Sequence, residues 1–354
     1  MRSGASLRLR LNRLWLLLGL VVLVSACNLP AVPDATATPR QTVTATQTTT
    51  PTVSPTVTVT FTPAPTATPT VTPTATQRPF EPGLYGQTLY DFHSCDAPDG
   101  TPLHMDVHFP SSGEPPFPTV IFVHGGSWIG GNKSSARDIL ENTSLIEGGN
   151  LFISVEYRLG PEHPFPAMIE DVKCAIRMIR YNHDPLYVDP QRIAVMGISA
   201  GGHLASLVGV AGPEAGWDAG QYPDTSSRVS AVIDLMGPSE ATGVASGGDT
   251  IVRMAFGVSN VHDPILQQYS PLAYVSEDDP PFLVIHGVDD TTVPISQSQM
   301  LVEALEAGGV PVTYIPVVSM GHGLPYGMYS EPGYDQLMQA MRVFLEEHIG
   351  RGTP

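Results

Sequence analysis

Short apolar runs alternate with longer amphipathic segments along residues 85–349. The apolar runs predict strands, and the longer segments, whose apolar residues recur at helical spacing, predict helices. Because strands that alternate with helices form parallel pairs, the pattern predicts an α/β fold: a mostly parallel, twisted sheet with helices on both faces. The predicted strands span residues 85–92, 103–109, 119–123, 151–156, 192–196, 229–236, 282–287 and 312–318. The predicted helices span residues 134–147, 167–181, 202–210, 297–307 and 334–349.

Two segments interrupt the alternation, residues 212–228 and 238–275, which are long and rich in glycine. We interpret both as loops. In a parallel sheet, long loops at the carboxyl edge of the strands shape binding pockets.

The amino-terminal residues follow a different pattern. A basic stretch, residues 2–13, precedes an apolar stretch, residues 14–24, that is short for a membrane span and typical of an export signal. Residues 24–27 (VSAC) resemble a bacterial lipobox, in which the cysteine is lipidated. We therefore predict a signal peptide with a lipobox over residues 1–27 and lipidation at Cys27. The alternative is an ordinary signal peptide cleaved after Ala26.

Residues 28–80 consist mostly of threonine, proline, alanine and valine. Such a composition cannot bury a core, so we predict a disordered, extended stalk. The catalytic domain is then predicted over residues 81–354. Together these segments predict a bacterial lipoprotein that is exported and held through its lipid at the cell surface, or at another extracytoplasmic face of the membrane. Asn28 leaves open which membrane holds it.

The chain carries a formal net charge of −17 over 354 residues. Residues 1–26 contain four arginines and no acidic residue, so their removal leaves −21. So acidic a protein repels nucleic acid, which we exclude as a partner, and favours neutral or cationic substrates. Beyond Cys27 the cysteines are Cys95 and Cys174. Export would permit a disulfide, but we expect buried free thiols.

The chemistry centres on residues 197–201 (GISAG), which match G-x-S-x-G between a predicted strand and a predicted helix. A serine on such a turn, here Ser199, is a nucleophile elbow. Its hydroxyl needs an adjacent base, and the base needs a carboxylate. His322, after the last predicted strand, is the candidate base. His203 lies only four residues past Ser199 within the helix, so we interpret it as structural.

The acid is expected on the turn after residues 282–287, where Asp289 and Asp290 stand side by side. The residues alone leave both open. Asp234, on the preceding strand, is a third candidate, for which a role at the sheet end is favoured.

A tetrahedral oxyanion needs hydrogen-bond donors aimed at it in advance. The candidate donors are the N–H groups of Ala200, Gly126 and Ser127, with Gly125 in reserve. In the same loop, His124 is expected to brace the backbone, and Trp128 either lines the acyl pocket or simply packs. His104 and His108 share one face of a strand, but no carboxylate or cysteine set accompanies them, so we expect no metal or other cofactor.

Over residues 85–350 the chain resembles the α/β-hydrolase esterases, closest to the acetyl-esterase/lipase and feruloyl-esterase-like group related to hormone-sensitive lipase. The matching stretches are residues 157–166 (YRLGPEHPFP), 197–203 (GISAGGH), 280–287 (PPFLVIHG), 290–294 (DTTVP) and 321–323 (GHG). The resemblance implies the α/β-hydrolase fold and selects Asp290 over Asp289 as the acid. It departs at Ser127, where hormone-sensitive-lipase relatives usually carry a third glycine.

The combined expectation is a serine esterase that hydrolyses short-acyl or aryl esters, including acylated polysaccharide, through an acyl-enzyme. Because the loop HGGSW also resembles kynurenine formamidases, an arylformamidase or amidase with the same triad is an alternative, as is a peptidase. A catalytically inactive surface-binding module is a further alternative, which the order of Ser199, Asp290 and His322 argues against. The oligomeric state stays open.

Overall fold

The computed structural model describes residues 80–141, 145, 149–243 and 248–350. The predicted signal peptide, Cys27 and the predicted stalk up to residue 79 lie outside the described residues.

Within the described residues, eight strands form one sheet with the order β1-β2-β4-β3-β5-β6-β7-β8. The amino-terminal strands β1 and β2 pair antiparallel, β2 pairs antiparallel with β4, and the remaining neighbours are parallel. The predicted fold class is therefore confirmed. The strands are β1 Thr88–Asp96, β2 Pro102–His108, β3 Phe117–Val123, β4 Leu151–Val155, β5 Val188–Ile198, β6 Ala231–Leu235, β7 Phe282–Gly287 and β8 Val312–Val317.

Helices cover both faces of this sheet, which explains why β3, β4, β6 and β7 are buried along their whole length. One core packs α2, α4 and α7 against one face, and a second core packs α1 and α8 against the other. The helices are α1 Ala136–Glu141, α2 Ala167–Tyr181, α3 His183–Leu186, α4 Ala200–Val210, α5 Gly248–Phe256, α6 Ile265–Gln268, α7 Ser296–Ala307 and α8 Tyr334–His348. Among the described residues, no helix is both long enough and apolar enough to cross a bilayer.

The segment 238–275 differs from the prediction of a continuous loop, because it contains the helices α5 and α6. Helix α5 buries Val252, Ala255 and Phe256. Its carboxyl end lies against the loop that precedes α2, since the N–H of Phe165 donates a hydrogen bond of 2.8 Å to the carbonyl of Ala255. The glycines that flank α5 obscured this short amphipathic pattern.

The expectation of free thiols was wrong. Cys95 and Cys174 form a disulfide with an S–S distance of 2.08 Å, which joins β1 to α2. The two cysteines are 79 residues apart in sequence, and the packing of α2 against β1 brings their Cα atoms to 6.4 Å. That approach is a property of the tertiary structure, so no local pattern announced it.

Phe80, the first described residue, packs in an aromatic cluster at the amino edge of the parallel strands. Its ring centroid lies 5.4 Å from that of Phe117, which begins β3, and 4.8 Å from that of Tyr187, which precedes β5. At the other end of the described chain, Gly350 lies near the guanidinium of Arg192. The described chain therefore both enters and leaves on the amino side of the sheet.

Candidate active site

Ser199 lies on the turn between β5 and α4, at the carboxyl edge of the sheet. Its backbone has φ 57° and ψ −121°, a conformation that L-residues rarely adopt. The turn is tight because Gly197 and Gly201 have no side chain. A Cβ at Gly197 would lie 2.0 Å from the carbonyl oxygen of Gly201, and one at Gly201 would lie 2.1 Å from that of Val123. The two glycines thus permit a turn that pushes the serine hydroxyl outward.

Three predicted site residues from distant parts of the chain meet at this edge. His322, after β8, places Nε2 2.8 Å from Ser199 Oγ and Nδ1 2.6 Å from Asp290 Oδ2. Because an ionised carboxylate only accepts hydrogen bonds, Nδ1 carries the ring proton and Nε2 accepts from the serine hydroxyl. This geometry is what a nucleophile, a general base and an orienting acid require.

The turn after β7 holds the two adjacent aspartates in different surroundings. Asp290 is buried, and its Oδ1 accepts hydrogen bonds from the N–H groups of Thr292 at 2.8 Å and Val293 at 2.9 Å. Asp289 is exposed. Of the two, it is the carboxylate of Asp290 that contacts His322.

The carboxyl of Asp290 is held in its ionised form. Burial raises its pKa, but hydrogen bonds from His286, His322 and the N–H of Val293 outweigh burial and hold the pKa well below its usual range. A carboxylate that stays charged can hold Nδ1–H and stabilise an imidazolium.

The loop after β3 lies against the turn that carries Ser199. A Cβ at Gly125 would be 3.2 Å from the Cβ of Ser199, and one at Gly126 would be 2.1 Å from the carbonyl oxygen of Gly130. Ser127 adopts φ 55°, in the region that favours glycine. Within the described residues, the N–H groups of Gly126, Ser127 and Ala200 donate to no protein acceptor. A donor to an oxyanion must likewise be free of protein acceptors.

His124 braces this loop, as expected. Its ring stacks on that of Tyr157 with centroids 4.2 Å apart, and the Tyr157 hydroxyl donates to the His124 carbonyl at 2.9 Å. Burial lowers the pKa of His124 to about 4, so the ring is neutral near pH 7.

Trp128 is fully buried, so of its two expected roles the structure shows packing. Its indole N–H donates to Nδ1 of His203 at 3.2 Å, and Nε2 of His203 donates to the carbonyl of Tyr269 at 2.8 Å. Burial lowers the pKa of His203 to about 4. His203 thus joins three segments and stays neutral near pH 7, which agrees with a structural interpretation.

Asp234 occupies a sheet-end position in β6. Its carboxylate accepts hydrogen bonds from the Ser206 hydroxyl at 2.8 Å and from the N–H of Gly237 at 2.7 Å. Complete burial raises its pKa, although both hydrogen bonds oppose that shift. Asp234 thus ties α4 to the turn after β6, and the carboxylate that accepts the hydrogen bond from His322 is that of Asp290 instead.

His286 is the residue that sequence reasoning missed. It lies in β7, its side chain is fully buried, and its Nε2 is 3.3 Å from Asp290 Oδ2. The signal available in the sequence was a histidine four residues before the acid, inside an otherwise apolar strand.

The structure offers no metal site among the described residues, where no group of three or more histidine, cysteine, aspartate or glutamate side chains converges. His104 packs near the ring of His93, and Nδ1 of His108 lies 2.9 Å from the hydroxyl of Thr88. The histidines on β2 thus have protein neighbours.

The comparisons with known proteins agree on one group. Residues 105–305 match the family described as BD-FAE. The chain is 33% identical to esterase LipC of Mycobacterium tuberculosis over 218 residues, which are 59% of this chain and 53% of LipC. It is 26% identical to carboxylic ester hydrolase LipN of the same organism over 71% of this chain and 74% of LipN. The chain spans about half the length of the first curated relatives it matches.

A solved structure with a similar fold is the truncated form of a carbohydrate esterase from gut microbiota. It superposes with a TM-score of 0.63 at 26% identity over 75% of this chain and 96% of that chain. The BD-FAE match includes Ser199 and Asp290 and ends before His322.

Proposed function

The chain belongs to the BD-FAE family, within the α/β-hydrolase esterases, and on that premise we propose that it hydrolyses carboxylic esters with Ser199 as the nucleophile. One observation carries the proposal. The hydrogen bonds run without a break from Ser199 Oγ through both nitrogens of His322 to Asp290 Oδ2, at 2.8 Å and 2.6 Å.

In the first half of the reaction, Ser199 Oγ attacks the ester carbonyl while His322 Nε2 takes the hydroxyl proton. The N–H groups of Gly126, Ser127 and Ala200 bind the oxyanion, and Asp290 stabilises the imidazolium. His322 then gives its proton to the departing alcohol, which leaves an acyl group on Ser199.

In the second half, His322 takes a proton from water. The resulting hydroxide attacks the acyl carbonyl, the carboxylic acid leaves, and the proton returns to Ser199 Oγ. This sequence requires no metal and no other cofactor.

The substrates proposed are esters of short acyl or aryl acids, including those carried on polysaccharide. Segment 238–275, which follows β6 at the carboxyl edge of the sheet, lacks the long continuous apolar stretch of a lipid-binding lid. Segment 212–228 leads from α4 into the start of β6 and contacts the carboxyl end of α2, so it lies at the amino edge and does not shape the site as the sequence predicted. The similar fold of a carbohydrate esterase supports esters carried on polysaccharide as substrates. Acetyl and butyryl esters should have a higher kcat/KM than esters of about ten carbons or more, although each methylene changes discrimination by only ~1–3 kcal/mol. The reverse order of kcat/KM would refute the proposed preference for short acyl groups.

Lipidation of Cys27 would retain the enzyme at an extracytoplasmic membrane face. The proposal rests on the apolar stretch 14–24 followed by VSAC. Cys27→Ala should release soluble enzyme of unchanged specific activity, because the variant lacks the cysteine that carries the acyl chains and stable anchoring needs two or more of them. Equal partition of wild type and variant between membrane and soluble fractions would refute the anchor.

The deciding experiment measures kcat on a short p-nitrophenyl ester. Ser199→Ala and His322→Ala should each leave only residual activity, because the two side chains act as a unit. Ser226→Ala, at an exposed serine in segment 212–228, should match wild type and serves as the control. A folded Ser199→Ala variant with wild-type activity would refute the mechanism, and faster hydrolysis of N-formyl arylamines than of esters would favour the formamidase alternative.

A further inference from the structure

A second histidine, His286, is fully buried and lies beside the carboxylate of Asp290. His286 is buried in β7, and its ring lies between the turn that carries Asp290 and the first turn of α7. Nε2 is 2.9 Å from the carbonyl oxygen of Val293 and 3.3 Å from Asp290 Oδ2, and Nδ1 is 2.6 Å from the hydroxyl of Ser298. Both ring nitrogens therefore have polar partners.

These partners determine which nitrogen of His286 donates. A carbonyl oxygen and a carboxylate oxygen can only accept, so Nε2 must carry the proton. The Ser298 hydroxyl can then donate to the bare Nδ1, which fixes this tautomer. The Nε2–H is shared, with Val293 as its nearer partner and Asp290 as its farther one.

His286 completes the set of donors around Asp290. Oδ1 accepts from the N–H groups of Thr292 and Val293, and Oδ2 accepts from His322. The Nε2–H of His286 approaches the same Oδ2. A carboxylate has about four acceptor sites, and these four donors occupy them. Together they hold the carboxylate of Asp290 in one orientation.

We propose that His286 is a positioning residue, which holds the Asp290 carboxylate in the orientation that receives Nδ1–H of His322. The proposal rests on the proposed function, because it assigns a role through the same acid. Without the His286 donor, Oδ1 keeps its two N–H partners but Oδ2 is held by His322 alone. The Oδ2 side of the carboxylate can then shift, and the ring of His322 loses its alignment with Ser199. Since His286 acts through two other side chains, its removal should lower kcat and leave KM nearly unchanged.

A purely structural role makes a different prediction. If His286 only ties β7 to the following turn and to α7, its replacement lowers the free energy of unfolding, but the folded fraction keeps its kcat. His286 would then not interact with Asp290, so in the double variant any losses of kcat from the two changes would multiply.

The experiment compares kcat and KM on a soluble short-chain ester for His286→Leu and His286→Gln, with thermal unfolding to measure the folded fraction. The leucine variant should lose about 10- to 100-fold in kcat, the range expected for a hydrogen bond to a charged group. The glutamine variant, whose amide nitrogen can donate from nearly the position of Nε2, should recover most of that loss. A folded leucine variant with kcat within about threefold of wild type would overturn the proposal.

The same change made on Asp290→Asn separates the two roles. Once the acid is disabled, His286→Leu should cost no more than about threefold further, because both changes act on the same carboxylate. If the losses multiply, His286 does not act through Asp290 and the proposal is wrong.

Ser298→Ala tests the tautomer without altering the ring, and it decides the matter if His286→Leu does not fold. Ser154→Ala is its matched control, since both serines are fully buried with a hydrogen bond of 2.6 Å and Ser154 lies on β4. We expect at least a threefold loss of kcat for Ser298→Ala and none for Ser154→Ala; equal kcat values overturn the proposal. Full activity of Ser199→Ala would instead refute the proposed function, so the two failures are distinguishable.

Discussion

Exchanging one oxygen of Asp290 for an amide nitrogen tests the proposed base most sharply. In Asp290→Asn, the amide must keep its oxygen at the Oδ1 position, because the N–H groups of Thr292 and Val293 both donate there at 2.8 Å and 2.9 Å. The amide NH₂ then replaces Oδ2 and faces Nδ1 of His322. Two donors cannot share a hydrogen bond, so His322 adopts the opposite tautomer and Nε2 carries the proton. The ring can no longer accept the proton of Ser199.

The expected loss follows from this tautomer. The same substitution in a serine protease triad lowers kcat by about 10⁴ while keeping the geometry, which corresponds to roughly 5.5 kcal/mol of transition-state stabilisation. Asp289→Asn is the matched control. It makes the same chemical change one residue away on an exposed side chain, so its kcat should stay within about threefold of wild type.

The assay is kcat on one soluble ester for wild type and both variants, with thermal unfolding to confirm that each is folded. A folded Asp290→Asn variant that keeps more than about a tenth of wild-type kcat would refute the reasoning. So would a loss at Asp289 as large as the loss at Asp290.

Three other changes test the surrounding structure. Replacing Cys95 and Cys174 with serine should lower the free energy of unfolding by roughly 4 kcal/mol in urea titrations, because the bond spans 79 residues; an unchanged urea midpoint would contradict it. His124 and His203 have a pKa of about 4 when folded and about 6.5 when unfolded, so the unfolded chain binds more protons between these values. Stability should therefore fall as pH drops from about 6.5 to 4, by up to ~1.4 kcal/mol per pH unit for each ring, and a melting temperature that stays flat over this range would argue against it. Gly201→Ala places a Cβ 2.1 Å from a backbone oxygen, so it should lower the free energy of unfolding by ~1–3 kcal/mol or more and also lower kcat. Gly83→Ala is the control: nothing lies within 4 Å of its added Cβ, so neither quantity should change.

Elements with a complete local pattern were predictable from the sequence. The helix Ala167–Tyr181 and the strand Phe282–Gly287 have the predicted bounds, because the apolar residues of each end at a clear change in pattern. Strand β5 begins at Val188, four residues before the predicted start, since Val188 pairs with Phe117 across the sheet. Pairing of this kind is set by the tertiary structure.

The residues of the candidate site also differ in how well the sequence predicts them. The order of elements sufficed to select Ser199 and His322, since Ser199 lies on the turn after a predicted strand and His322 follows the last predicted strand. It left Asp289 and Asp290 open, because both lie on one turn and the N–H groups that bind Asp290 are invisible in the sequence. His286 escaped notice because a histidine within an apolar strand resembles an ordinary core residue.

The location of Phe80 has a practical consequence. Phe80 packs beside Phe117 at the start of β3, whereas Ser199 lies at the carboxyl ends of the strands, a separation of roughly 20 Å for a seven-residue strand. Gly350 also lies on the amino side, near Arg192. A bead, an affinity tag or a fused module joined at either position therefore attaches on the far side of the sheet. Immobilisation through these positions leaves the catalytic edge open to bulky polymers.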